Sequence, residues 1–91
     1  MDFKTGDRVI FNKKNKLNKI SLKNKELSGK NNFVSENYNK ILTINDTMES
    51  FGINYLKFIF DNNNSVLLDY SRFLKYNKFD KLLFNDNDIE F

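Results

Sequence analysis

From Ile53 to Tyr70 the sequence alternates, turns and comes back. Leu56, Phe58 and Phe60 fall on one side of a period of two, with Ile53, Tyr55, Lys57 and Ile59 on the other. Asn62-Asn63-Asn64 follows, and then Val66 to Tyr70. The alternation is that of a β-strand. Asparagine tolerates the left-handed region better than other non-glycine residues, so the triplet is expected to turn an antiparallel hairpin. Near the other end, Phe3-Lys4-Thr5-Gly6-Asp7 leads through a Gly-Asp turn into a short strand from Arg8 to Phe11. Such a strand and hairpin are the skeleton of a small, strongly bent β-barrel, and 91 residues fill one domain, 1–91, with no second core.

What stabilises that domain is narrowed by what the chain lacks. There is no cysteine, so no disulfide forms, and no histidine, so the usual zinc sites lose most of their ligands. Ten Phe and four Tyr, with the Leu and Ile residues, must supply the core. Asparagine and lysine are in excess, arginine occurs twice and proline not at all. An AT-rich coding sequence explains that bias without any selected property.

Between the two ends, residues 12–32 read as a long basic excursion, partly helical. Leu17, Ile20 and Leu27 share a helical stripe that Gly29 would end, while Ile20 and Leu22 fit a strand equally well. Lys40 to Asn45 reads as the second main strand, and Asp46 to Gly52 as a loop in which Gly52 takes a positive φ. Ser71 to Tyr76 is expected to form a helical or 3-10 turn, with Phe73 and Leu74 plugging the barrel. Residues 77–91 form an acidic tail. That tail holds either a last strand or short helix around Lys81 to Phe84, or a helix whose face joins Phe73, Tyr76, Phe79 and Leu83. Ile53 to Phe60 is apolar on both faces, so its second face is either covered by the excursion or the tail or exposed for a partner, and cover is the expectation.

The Phe-Lys-x-Gly-Asp-x-Val phrase at Phe3–Val9, with the strand, tight turn, strand and 3-10 turn over Tyr55–Tyr76, resembles SH3-like small β-barrels. The resemblance covers about half the chain. It implies a mainly β protein: an SH3-like antiparallel barrel with a long basic insertion after the first strand. Barrels of this kind recur in ribosomal, transcription, chromatin and phage-encoded proteins, so the likeness implies no activity. The aromatic pairs and acidic loop of the proline-peptide-binding members are not recognisable here.

Catalytic machinery is hard to assemble from these residues. No serine has a lysine three positions on, and the glycines at 6, 29 and 52 are isolated, which excludes a phosphate-binding glycine loop. Asp86-Asn87-Asp88-Ile89-Glu90 and Asp61-Asn62-Asn63-Asn64-Ser65 both lack the glycine and the distal glutamate of a calcium loop. No cofactor and no metal are expected, and the chain is not expected to be an enzyme.

Charge says more. Through Lys30 there are nine Lys and Arg against three carboxylates, a balance of +6, whereas the remaining sixty-one residues have six against nine, or −3. Lys13, Lys14, Lys16, Lys19, Lys23 and Lys25 are the candidates to contact phosphates or a partner. Tyr38 and Tyr55 are the candidates to stack on bases. The scarcity of arginine argues against base-specific readout.

Two functions from different classes lead, with a structural subunit of a phage particle or assembly as a third. One is a non-catalytic binding protein that docks on a protein partner. Its sharpest form is a small phage or mobile-element inhibitor of a bacterial defence nuclease or nuclease–RNA complex, of the anti-CRISPR kind. The other is a nucleic-acid-binding barrel using the Lys-rich third on RNA or DNA. The opening Met1-Asp2-Phe3-Lys4 is not that of a signal peptide and no apolar run spans a membrane, so a cytoplasmic protein is expected.

Overall fold

The computed structural model describes residues 2–61 and 63–76. The chain is mainly β, with two three-stranded antiparallel sheets and two helices. The first sheet has β1 (Arg8–Phe11) at its centre, flanked by β2 (Leu42–Thr43) and β6 (Phe73–Lys75). The second is a meander of β3 (Asp46–Ser50), β4 (Ile53–Phe60) and β5 (Asn64–Asp69). Helices α1 (Lys16–Lys23) and α2 (Gly29–Asn37) lie between β1 and β2 in sequence. Among the described residues no strand ladder joins the two sheets.

The chain crosses from one sheet to the other within two residues. Ile44 donates its N–H to Asp7 O at 2.9 Å and accepts from Gly6 N–H at 2.8 Å, beside β1. Asn45 N–H then donates to Lys57 O of β4 at 2.9 Å. Ile44 is fully buried at this crossing.

The alternation in β4 orders the second sheet. Leu56 and Phe58 point into the core, and the register sets Leu68 and Val66 of β5 beside them. The hairpin joining these strands begins at Asp61, whose φ of 53° is left-handed. From the first sheet come Val9, Phe11 and Phe73, and from α2 and its C-cap come Phe33, Val34 and Tyr38. Aromatic rings join all three layers. Phe73 lies 4.7 Å from Phe11 and 5.0 Å from Phe58. Phe33 lies 5.8 Å from Phe58 and 5.3 Å from Phe60. Offset and tilted rings at these separations are favourable beyond the area they bury.

Several expectations are corrected. Asp46 to Ser50 is strand β3 rather than a loop. Its composition is that of a turn, but all five residues pair with β4, from Asp46↔Lys57 to Ser50↔Ile53. The second strand expected over Lys40 to Asn45 shortens to Leu42–Thr43. The 3-10 turn comprises Tyr70–Arg72, capped by the Asp69 carboxylate accepting from Ser71 N–H at 2.9 Å. Phe73 onward is strand, so Phe73 is buried while Leu74 faces outward and plugs nothing. Gly29 opens α2 instead of ending a helix, and helical structure runs past Asn32 to Asn37. Leu17, Ile20 and Leu27 are all exposed, so their stripe is not a buried one. The expectations for residues 77–91 lie outside the described residues.

Candidate partner-binding surfaces

The six candidate lysines separate into two kinds. Lys13 belongs to the fold: its ammonium donates to Tyr38 O and, at 2.7 Å, to Asn39 Oδ1, and sits 3.8 Å from the centre of the Tyr38 ring. Tyr38 itself is 2% exposed and packs on Phe11 at 6.0 Å. Burial pushes its phenol above the ordinary value of 10.0. A ring enclosed on these sides is a core residue and offers no face to a base. The pattern of aromatic and lysine in the sequence is the same for a core cation–π pair as for a binding site.

Lys14, Lys16, Lys19, Lys23 and Lys25 are exposed. Lys16, Lys19 and Lys23, at i, i+3 and i+7, share one face of α1. Lys19, Lys23 and Lys25 also line an open groove of about 570 Å³ with Leu22 and Ser35 of α2. Among the described residues no carboxylate lies within 4.0 Å of any of them.

How α1 is held decides which side it shows. Its buried residues are polar, Asn18 and Ser21. Asn18 Nδ2 donates to Asn12 O at 3.0 Å and Arg72 O at 2.9 Å, and Asn15 Nδ2 to Ser71 O at 3.1 Å. Arg72 Nη1 donates to Ser21 Oγ at 3.3 Å. Burial lowers the pKa of that guanidinium, and the nearby Asp69 carboxylate opposes the shift. The helix therefore sits on the carbonyls of the 3-10 turn and turns its apolar residues Leu17 and Ile20 outward.

A second surface is the outward face of β3, β4 and β5. The register puts Met48 beside Tyr55, Lys57 beside Asp46 and Leu67, and Ile59 beside Ser65. Met48 is 50% and Ile59 54% exposed, and Ile53 is also exposed. Tyr55 is half-buried in the middle of this face, near Met48. The excursion does not cover it, because α2 packs through Phe33 on the opposite, core side of β4.

The turn between β3 and β4 adds a residue that sequence reasoning missed. Ser50 pairs with Ile53, so Phe51 and Gly52 are the whole loop, and both have positive φ, 51° and 78°. A two-residue loop with positive φ at both positions is a type I′ turn, which favours Asn or Asp ahead of Gly. Phe51 is fully exposed there. The signal available was Gly52 preceded by an aromatic in a chain with sixteen asparagines.

Among the described residues no group of three or more acidic, histidine or cysteine side chains is placed to hold a metal, and no helix is long and apolar enough to cross a membrane. No family model, curated protein or solved structure matches the chain.

Proposed function

We propose that the chain is a non-catalytic binding protein that docks on a protein partner through Phe51 and the outward face of β3, β4 and β5. Phe51 is the observation that carries this reading. A bulky residue held at positive φ is strained, and asparagine, abundant in this chain, would occupy the same turn with less strain. A residue kept in a costly conformation with its ring wholly in solvent fits a function outside its own fold. Aromatic anchors that enter a partner's pocket carry much of the affinity of protein interfaces. Met48, Ile53, Tyr55 and Ile59 extend the apolar area behind it.

In its sharpest form the protein is a small phage or mobile-element inhibitor, anti-CRISPR-like, that blocks a bacterial defence nuclease or ribonucleoprotein in the cytoplasm. The small β-rich fold with an exposed apolar face supports that form. The same reading takes the two sheets as halves of one SH3-like barrel. Two features support it: the passage from β2 through Ile44 and Asn45 into β3, and the return of β6 to β1 after the 3-10 turn.

Phe51→Asn separates docking from folding, because asparagine suits the turn. Pull-downs from nuclease-treated host lysate would compare the variant with the wild type, and thermal melts would compare their stability. The expected result is capture of a protein by the wild type and its loss in a variant at least as stable. Equal capture by both, or capture only where nucleic acid is intact, would refute the docking surface.

A further inference from the structure

We infer that the groove between α1 and α2 binds the phosphodiester backbone of single-stranded nucleic acid, without sequence preference. Lys19, Lys23 and Lys25 line one concavity together with Leu22 and, from α2, Ser35. Among the described residues no acidic side chain lines it. Like charges brought together repel, so three lysines sharing a groove raise the local potential and favour an anion there, although Glu26 lines the adjoining depression beside Lys23 and Lys25. A chain with several phosphates answers that field better than a single small ion.

The groove is built before any ligand arrives. Asn31 Nδ2 donates to Asn24 O at 3.0 Å, which fastens the start of α2 to the end of α1. Ser28 caps α2 by accepting from Asn31 N–H at 3.1 Å. Asn24 N–H and its side-chain amide both return to Ile20 O, closing α1. Lys19 and Lys23 stand one helical turn apart, roughly 5–6 Å along the axis, a spacing that lets each ammonium meet a different phosphate.

Single strand and backbone are both readings of the lining. An open groove of about 570 Å³ between two short helices offers room for one strand's backbone. Among the described residues it has no aromatic to stack a base and no arginine to grip a base edge. A lipid surface fits less well. The apolar residues of α1 that a membrane would take up, Leu17 and Ile20, lie round the helix from Leu22, away from the groove.

The test measures anisotropy of a short dye-labelled oligo-dT strand, and of oligo-rU, against the full chain over a salt series. If the three lysines neutralise three phosphates, log K should fall with log salt at a slope of about −2, a loss of ~20-fold between about 50 and 200 mM. Lys19→Gln with Lys23→Gln should weaken low-salt binding at least ~10-fold and flatten the slope to about −0.7. Lys4→Gln with Lys40→Gln removes equal charge from exposed sites outside the groove and should leave binding within ~2-fold. The Phe51→Asn protein should bind the strand as the wild type does, so that this site and the protein-docking face fail separately. Equal weakening by the two double variants would overturn the inference in favour of net charge alone. Absence of binding at low salt would overturn it outright, as would retention on anionic-lipid vesicles by a protein that ignores the oligonucleotides.

Discussion

Helices α1 and α2 are of nearly equal length and come from one excursion, yet they are fastened by different means, polar for α1 apart from a half-buried Leu22 packed against the core, and aromatic for α2. Phe33, Val34 and Tyr38, on and just past α2, sit among the aromatics of both sheets, whereas α1 buries Asn18 and Ser21 on the carbonyls of a 3-10 turn. Burying a large apolar side chain contributes about 1.5–3 kcal/mol. A net hydrogen bond contributes about 1 kcal/mol, and less where a partner atom goes unmet. Asn18 Oδ1 and Arg72 Nε both lie buried with no hydrogen-bond partner among the described residues. One helix is thus part of the core. The other is held mainly by polar contacts, with Leu22 packed against the core, and its outer face is left for other contacts.

The sharpest way to break that comparison is Phe33→Ala. Its ring touches Phe11, Phe58 and Phe60, at 6.4, 5.8 and 5.3 Å, so removal opens a cavity between the sheets. The expected loss is about 3–5 kcal/mol, a large part of the stability of a domain this size. A urea titration followed by tyrosine fluorescence measures it. A loss below about 1 kcal/mol would mean that α2 is no more integral than α1.

The contrast also explains what could be read in advance. β4 and β5 were legible because their alternating side chains report burial directly, and β1 because its strand formers follow a Gly-Asp turn. β3 was not, since Asp46-Thr47-Met48-Glu49-Ser50 has no strand signal of its own and is held by its neighbour. The apolar stripe of Leu17, Ile20 and Leu27 misled for a related reason. Periodicity identifies a helix, but the receiving surface decides which side is buried, and here that surface is made of carbonyls. Of the candidate site residues, the exposed lysines of α1 were legible as charge. Lys13 and Tyr38 were not, because they face each other across twenty-five residues of sequence.

A smaller effect sharpens the comparison from the side of α1. Asn18→Ala deletes two hydrogen bonds to backbone carbonyls, one of which, Arg72 O, keeps the Asn12 N–H donor at 2.8 Å. The expected loss is about 1–2 kcal/mol. Hydrogen exchange should show it as faster exchange in α1, with the protection of α2 unchanged by local opening. Equal acceleration in both helices would make the excursion one cooperative unit and remove the distinction.

The smallest effect concerns the end of α2 and depends on pH. The Tyr38 phenol is pushed above its ordinary value of 10.0 by burial, so the folded state holds that proton more tightly than the unfolded chain does. The contribution is fully present below pH 10 and is lost as pH rises through the folded-state value, because only the unfolded chain gains by releasing the proton. The slope contributed by a single group is at most about 1.4 kcal/mol per pH unit. Tyr38→Phe keeps a ring under the Lys13 ammonium and removes the ionisation. Urea midpoints measured from neutral pH to beyond pH 10 should therefore fall less steeply in the variant than in the wild type. Parallel curves would show that the phenol ionises as freely in the fold as outside it. The carboxyl end of α2 would then be as solvated as the outer face of α1.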